Sequence, residues 1–260
     1  MRIVRAKHKD TIFYGIVDED LIRQIDDNIF AGITETGQTH QLAAVHLLAP
    51  LEPKNVIAIG LNYTKHALEN GRDIPTKPVI FLKATSSVIG PEDAIVLPKN
   101  HPDHVDFEVE LAIIIGKTAK DVEEADALDY VFGYTCANDV SARDCQMQLD
   151  VQWARGKSFD TFCPIGPWIE TELHPGDQPI KSIVNGVVMQ DSNTSDMIFS
   201  VPYLISYCSK NMTLLPGTVI MTGTPEGVGV ARNPQVFLRN GDTIEIEIGD
   251  IGSLKSRVIG

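Results

Sequence analysis

Residues 105–116 read VDFEVELAIIIG, and both the fold and the site can be inferred outward from this stretch. Successive side chains of a β-strand point to opposite faces, so Asp106, Glu108 and Glu110 share one face and the apolar residues between them share the other. Beyond Glu110 the acidic face continues with apolar residues, which indicates that the strand enters the interior there. Buried neighbouring carboxylates repel each other and lose hydration, so they require a counter-ion or a shared proton. The alternative is the solvated face of an edge strand, which has the same alternation.

A third carboxylate, Asp139, follows the apolar run YVFGYTCA (130–137) and therefore lies at the end of a predicted strand, where ligands commonly bind. Three carboxylates without His or Cys are typical of a site for Mg²⁺ or Mn²⁺, with Ca²⁺ as an alternative, and fit Zn²⁺ poorly. We therefore predict a metal site formed by Glu108, Glu110 and Asp139.

Several polar residues after Asp139 are candidates for substrate binding. Arg143 and Gln146 are three residues apart, so both can project from one face of a helical turn and bind a carboxylate, although an Arg near an Asp is often only a surface residue. Lys157, in WARGKSFDTFCPIGPW (153–168), can polarise a carbonyl or move a proton if it is buried, or else it extends its amine to solvent.

A glycine-rich loop, TGTPEGVG (222–229), follows the strand-like run GTVIMTG. Its backbone N–H groups and the Thr224 hydroxyl can meet a substrate carboxylate, and a plain tight turn is the alternative. Upstream, His66 and Glu69 share one face of a predicted short helix within residues 63–71, where the carboxylate can orient an imidazole that takes a proton from water. Such pairs are also common as surface neighbours. His101 and His104 have metal-compatible spacing but lie in a Pro-containing loop, which favours a structural role.

The remaining pattern predicts a sheet-rich α+β protein rather than a regular βαβ repeat. Residues 1–52 form a predicted small β-rich N-terminal domain that ends at Pro50 and Pro53, and residues 53–260 form a predicted catalytic domain. Further helices are predicted within residues 121–131, 141–148 and 197–210.

Composition excludes some classes of partner. The formal charge of −13 and the pI near 4.9 disfavour nucleic acid and anionic membranes, and a site for an anionic substrate must supply positive charge locally. No run approaches the ~20 apolar residues of a membrane span, so the chain is interpreted as cytoplasmic.

The four cysteines, Cys136, Cys145, Cys163 and Cys208, show no C-x-x-C spacing and are predicted to be reduced, buried thiols.

Taken together, these segments resemble the fumarylacetoacetate hydrolase family over roughly residues 50–260. The motifs that carry the resemblance occur in the family's order: IGLNYTKHALE (59–69), VDFEVELAIIIGK (105–117), FGYTCANDVSARDCQ (132–146), KSFDTFCPIGPW (157–168), SDMIFSVPYLISYCS (195–209) and LLPGTVIMTGTPEGVG (214–229). The resemblance implies a mixed β-roll, a homodimer, and a Mg²⁺ or Mn²⁺ ion held by Glu108, Glu110 and Asp139.

The same resemblance implies a catalytic pair at His66 and Glu69, a catalytic Lys157, and substrate contacts at Arg143, Gln146 and Thr224. The expected reaction is hydrolysis of a carbon–carbon bond in a small 2-oxo acid with a 1,3-dicarbonyl, of the acylpyruvate or fumarylpyruvate type. Decarboxylation of oxaloacetate and isomerisation of a 2-hydroxymuconate-type acid use the same site and stay open. A non-catalytic, metal-stabilised binding protein is the alternative from another class; the proton-transfer groups beside the metal site argue against it.

Overall fold

The computed structural model describes residues 1–69 and 71–260, and it confirms the sheet-rich α+β class. The strands are β1 Arg2–His8, β2 Thr11–Asp18, β3 Leu21–Ile25, β4 Glu35–Gln41, β5 His46–Leu47, β6 Val56–Gly60, β7 Val79–Lys83, β8 Val88–Ile89, β9 Ala94–Val96, β10 Val105–Asp106, β11 Val109–Ile115, β12 Val131–Asn138, β13 Ser141–Ala142, β14 Cys163–Glu170, β15 Pro179–Val184, β16 Val187–Asn193, β17 Val219–Met221, β18 Thr243–Ile248 and β19 Gly252–Ile259. The α-helices are α1 Thr64–Glu69 and α2 Val201–Asn211.

One large sheet runs through the described part of the chain in the order β4-β3-β2-β1-β14-β12-β11-β17-β6-β7. A second sheet has the order β16-β15-β18-β19-β9, and β10 pairs with β13. The N-terminal strands continue the large sheet, because β1 pairs with β14 through Arg2–Glu170 and Ile3–Ile169. The predicted division at residue 52 therefore does not coincide with a break between sheets.

Strand β11 lies at the centre of the large sheet and is buried on both faces. Leu111 and Ile113 pack into a core that includes residues of the second sheet and of α2, whereas Ala112 and Ile114 pack on the opposite side. A strand buried on both faces is expected to be a continuous apolar run, as residues 111–115 are. Glu110 thus lies within, and Glu108 directly before, a strand of which all seven residues are buried.

Two predicted helices take other forms. Residues 124–130 form a 3-10 helix within the predicted segment 121–131. In segment 141–148, Ser141 and Ala142 pair with β10 as strand β13, and the helical turn that follows is of the π type over Cys145–Leu149. The Asp150 N–H donates to the Cys145 carbonyl, five residues back, which widens this turn. The helix predicted within 197–210 is confirmed from Val201 onward as α2, and the Ser200 hydroxyl before it accepts a hydrogen bond from the Tyr203 N–H.

Candidate metal and substrate site

The acidic segment does not form the continuous strand predicted for 105–116, because the ladder is interrupted at Phe107 and Glu108. Side chains replace strand partners there: the Glu108 N–H donates to Asn138 Oδ1, and the Val109 N–H donates to Gln190 Oε1. Phe107 still packs in the core cluster that also contains Val105, Val109 and Leu111, so the predicted alternation of faces survives the break. The break leaves the acidic side chains positioned by amides of neighbouring strands.

Glu108, Glu110 and Asp139 converge into one buried group, which rules out the solvated edge strand. One carboxylate oxygen of each lies within 4.8 Å of the others, and the residues are 6%, 1% and 0% exposed. Burial, followed by the charges of Asp139 and Glu108, raises the pKa of Glu110 well above its ordinary value. Such a carboxyl is ionised only where additional positive charge is supplied.

Two buried lysines contact this group. Lys157 Nζ donates to Glu108 Oε2 at 2.8 Å and to Asp139 Oδ2 at 2.7 Å. Lys83 Nζ donates to Asp139 Oδ1 and to the carbonyls of Val140 and Lys157. Burial opposes the charge of Lys157, but Asp139 and Glu108 outweigh it and raise its pKa. Lys83 was not among the sequence-predicted site residues.

Arg143 is buried rather than exposed, and it connects the acids to Gln146. Its Nε donates to Asp106 Oδ2 at 2.8 Å, and its Nη1 lies 2.7 Å from Glu108 Oε1 and 2.8 Å from Gln146 Oε1. Burial opposes ionisation of Glu108, but Lys157 and Arg143 outweigh it and lower its pKa to about 2. Arg143 Nη2 is buried without a hydrogen-bond acceptor among the described residues. Asp106 therefore neutralises Arg143 rather than joining the metal-ligand group.

His66 and Glu69 form the predicted pair on α1, with His66 Nδ1 2.7 Å from Glu69 Oε1. Glu69 also accepts the Gly227 N–H, at 2.9 and 3.1 Å from its two oxygens. A carboxylate at Nδ1 favours the tautomer in which Nε2 carries no proton and can act as a base. The pair is thus fixed to the glycine-rich loop as well as to its own helix.

The backbone of that loop does not match the prediction of a substrate-carboxylate cradle. Its amides donate instead to the protein's own acids: Gly223 to Glu110 at 2.8 Å, Gly227 to Glu69, and Gly229 and Val230 to Asp106 at 2.8 and 2.9 Å. A carboxylate that is already buried accepts these donors without a further cost of dehydration. The loop is a support for the acidic side chains.

Thr224 lies on the same loop, and its Oγ1 accepts a hydrogen bond from Gln190 Nε2 at 2.7 Å. The Gln190 carboxamide is fully buried and also binds the Pro225 carbonyl, the Ser182 hydroxyl and the Val109 N–H. Gln190, which sequence reasoning missed, therefore positions both Thr224 and the start of β11.

These residues lie around a cavity of about 190 Å³. It is lined by His66, Glu108, Glu110, Arg143, Gln146, Lys157 and Thr224, whereas Glu69 and Asp139 lie behind members of the lining and contact them. Its other walls include Arg72 and the apolar side chains of Ile59, Leu61, Phe81, Met147, Trp153, Val228 and Val230. All nine sequence-predicted site residues are brought together.

The remaining candidates have structural contacts. His101 Nδ1 lies 2.7 Å from Asp144 Oδ2, and the His104 ring packs edge-on against Phe237. The four cysteines are free and buried. Within residues 1–69 and 71–260, no helix has the length and apolar character to cross a bilayer.

Comparison with known proteins identifies two sequence families along the chain. Residues 55–259 match the family described as "Fumarylacetoacetate (FAA) hydrolase C-terminal", and residues 1–50 match "Rv2993c-like, N-terminal".

Relatives of this chain carry several enzyme names. Oxaloacetate tautomerase fahd2 of Xenopus laevis is 47% identical over 83% of this chain and 69% of its own length. The 2,4-didehydro-3-deoxy-L-rhamnonate hydrolase of a Sphingomonas strain is 48% identical over 78% of this chain and 72% of its own length. The crystal structure of 2-hydroxyhepta-2,4-diene-1,7-dioate isomerase from Mycobacterium marinum superposes with a TM-score of 0.90 at 42% identity, covering 100% of this chain and 98% of that one.

Proposed function

The chain belongs to the fumarylacetoacetate hydrolase family, a family of enzymes, and from this membership we propose that it is a divalent-metal-dependent hydrolase. Its proposed substrate is a small 2-oxo acid with a 1,3-dicarbonyl, of the acylpyruvate or fumarylpyruvate type. The observation that carries the proposal is the oriented His66–Glu69 pair on the wall of a cavity that also contains three converging carboxylates.

The three carboxylates fit a hard divalent cation. Glu108 and Asp139 each contact Lys157, but Glu110 is buried beside two carboxylates, and the contact described for it is the Gly223 amide. An all-oxygen donor set of this kind suits Mg²⁺ or Mn²⁺. When bound, the cation would supply Lewis-acid polarisation to the carboxylate and 2-oxo oxygens of the substrate.

The substrate carboxylate is assigned to Arg143, Gln146 and Thr224. The Arg143 Nη2 amino group is buried and lacks an acceptor within residues 1–69 and 71–260, and an unpaired buried donor favours a ligand that supplies an oxygen. Guanidinium groups bind carboxylates with two parallel hydrogen bonds, but Nε and Nη1 already bind protein oxygens, so we assign a single bond from Nη2. This end of the cavity fixes which substrate atoms approach His66.

The two lysines differ in what they can do for the reaction. An ammonium group carries three protons. Those of Lys83 are directed to Asp139 and two backbone carbonyls, so it has a supporting role, whereas Lys157 uses two on Glu108 and Asp139. The third proton of Lys157 is assigned to the substrate oxygen that gains negative charge.

His66 Nε2 takes a proton from water, and the resulting hydroxide attacks the distal carbonyl carbon of the 1,3-dicarbonyl. The bond between that carbon and the central carbon then breaks, and its electron pair passes to the 2-oxo acid fragment as an enolate. His66 returns the proton to the central carbon, which yields a carboxylic acid and a 2-oxo acid. Glu69 supports the positive charge that His66 carries between these steps.

Isomerisation or tautomerisation is the second candidate. It is favoured by the activities for which two relatives are named, the oxaloacetate tautomerase and the heptadienedioate isomerase, the second of which matches this whole chain. In that reaction His66 would move a proton between two positions of the substrate without attack by water. The homodimer implied by the family also stays a prediction, and light scattering of the purified protein tests it.

The test is turnover of the purified protein with Mn²⁺, and with EDTA, on acetylpyruvate, fumarylpyruvate, oxaloacetate and a 2-hydroxymuconate-type diacid. Pyruvate plus a second acid identifies hydrolysis, carbon dioxide identifies decarboxylation, and a shifted double bond identifies isomerisation. His66→Ala is expected to lower kcat about 10²- to 10⁴-fold with unchanged Mn²⁺ binding, because it removes the proton acceptor. His174→Ala, an exposed histidine outside the cavity, is the control. Full turnover in His66→Ala would contradict the assigned base.

A further inference from the structure

The cationic residues that line the cavity are unequally neutralised. Arg143 is bound by Asp106 and Glu108, and Lys157 is bound by Glu108 and Asp139. The third lining cation, Arg72, is exposed, and its guanidinium has no ion pair or hydrogen bond with any described residue. Arg143 and Lys157 are nearly fully buried, which places Arg72 at the mouth.

The cavity has an apolar wall between its inner end, at Arg143 and Lys157, and its mouth, at Arg72. Phe81 and Trp153 form part of it, with ring centroids 5.7 Å apart at an interplanar angle of 74°. Leu61 and Met147 add aliphatic surface. A ligand that fills this space has a polar inner end, an unsubstituted carbon or conjugated middle, and an outer end beside Arg72.

We propose that Arg72 binds the distal carboxylate of an elongated dicarboxylic substrate and thereby determines the preference of the site for diacids over monoacids. The proposal rests on the proposed function for the inner end of the substrate. An Arg is suited to this task because its planar guanidinium binds a carboxylate through two parallel hydrogen bonds. A chain with a net charge of −13 repels anions over most of its surface, so an uncommitted cation at the mouth is where a second carboxylate gains most.

A backbone hydrogen bond connects Arg72 to the helix that carries the proposed base. The Arg72 N–H donates to the Ala67 carbonyl at 3.0 Å, and Ala67 directly follows His66 on α1. A carboxylate held by Arg72 is therefore held by the same short segment that carries His66 and Glu69. This gives the distal group a part in aligning the substrate with Nε2, besides its part in binding.

The first test compares kcat and KM for fumarylpyruvate, which has a distal carboxylate, and acetylpyruvate, which ends in a methyl group on the distal carbonyl and lacks both the carboxylate and the double bond. In Arg72→Gln, kcat/KM for fumarylpyruvate is expected to fall about 10- to 100-fold, mainly through KM, because a charge-assisted hydrogen bond is lost. Acetylpyruvate turnover is expected to stay within about twofold. Arg72→Lys keeps the charge and should recover part of the loss, and Arg239→Gln, an exposed arginine away from the cavity, is the control. Equal losses on both substrates, or none, would overturn the proposal.

A second test separates this inference from the proposed reaction. Calorimetry with Mn²⁺-loaded protein compares 2-oxoadipate with 2-oxohexanoate, two acids of equal chain length that differ in the distal carboxylate. Tighter binding of the diacid in the wild type, lost in Arg72→Gln, supports the role of Arg72 even if no hydrolysis is found. Equal binding of the two acids overturns the inference, and binding of neither overturns the proposed inner end together with it.

Discussion

Two clusters of opposite charges are interleaved in the sequence but lie in different environments. Asp144 follows Arg143, and Arg155 precedes Lys157 by two residues. In the cluster that we call inner, the Lys83 and Lys157 side chains are 0% and 2% exposed. In the cluster that we call outer, the Arg155 side chain is 49% exposed beside Asp150. Both clusters contain close ion pairs, and their geometry is similar: 2.7 Å for Lys157–Asp139 and 2.6 Å for Arg155–Asp150.

The comparison shows that the distance within an ion pair does not determine how much the pair contributes to the free energy of unfolding. Solvent screens an exposed pair and supplies new partners when one member is lost. A buried charge has no such replacement, so each member of the inner cluster depends on the others. Charges that develop during a reaction are stabilised more strongly by the inner kind of cluster, because solvent does not screen its field.

Removing a buried cation is the strongest test of this comparison. Lys83→Met should lower the free energy of unfolding of the metal-free protein by about 3 to 5 kcal/mol, because Asp139 and two carbonyls lose a buried partner. Arg155→Met, the matched exposed cation, should leave it nearly unchanged. Urea denaturation measures both. Equal losses would mean that burial does not separate the clusters.

Replacing a buried carboxyl group is expected to raise the free energy of unfolding rather than lower it. The metal-free protein must protonate Glu110 on folding, because burial and the charges of Asp139 and Glu108 raise its pKa, and Glu110→Gln removes this cost. The variant is therefore expected to gain about 1 to 2 kcal/mol in urea denaturation at neutral pH. The same change should weaken Mn²⁺ binding at least about 100-fold in calorimetry, because a ligand oxygen is lost. Glu123→Gln, at an exposed glutamate, is the control. Unchanged Mn²⁺ binding would contradict the assigned metal site.

The smallest change in the free energy of unfolding is expected from the outer cluster, and this change depends on pH. Burial opposes ionisation of Asp144, but hydrogen bonds from His101 and the Cys145 N–H outweigh it and lower its pKa. A lowered folded-state pKa stabilises the protein above the unfolded-state pKa of about 3.9, and this contribution is lost as the pH falls through the folded-state value.

Asp144→Asn should therefore cost less than about 1 kcal/mol at neutral pH, and the difference from the wild type should vanish in acid. Urea denaturation at a series of pH values measures it. A difference that grows toward low pH would mean that the aspartate is destabilised rather than stabilised by its neighbours.

Periodicity along 105–111 and the strand end at Asp139 predicted the acidic group, but the alternation alone is equally typical of a solvated edge strand. It could not predict the interruption at Phe107 and Glu108, since the replacement acceptors, Asn138 and Gln190, come from distant strands. Asp106 likewise shares the acidic face by pattern, but its partner is Arg143, which lies 37 positions away.

The missed residues are those whose sequence context is ordinary. Lys83 ends the apolar strand β7, where a lysine usually extends its amine to solvent. Strand β7 is the last strand of the large sheet, so the burial of Lys83 follows only from the contacts of its amine with Asp139 and two backbone carbonyls. Arg72 follows a helix-ending glycine and resembles any surface arginine until the cavity is seen.

The loop at residues 222–230 holds Glu110, Glu69 and Asp106 with main-chain atoms, which almost any amino acid could supply. What it demands of the sequence is shape: Gly227 has φ +97°, and a Cβ there would lie 2.5 Å from the Met189 carbonyl oxygen. The centre is therefore protected from most side-chain replacements in its own support. Residues at the mouth such as Arg72 do not position these acids. Their replacement can therefore change which substrates bind while the geometry of the reactive centre stays the same.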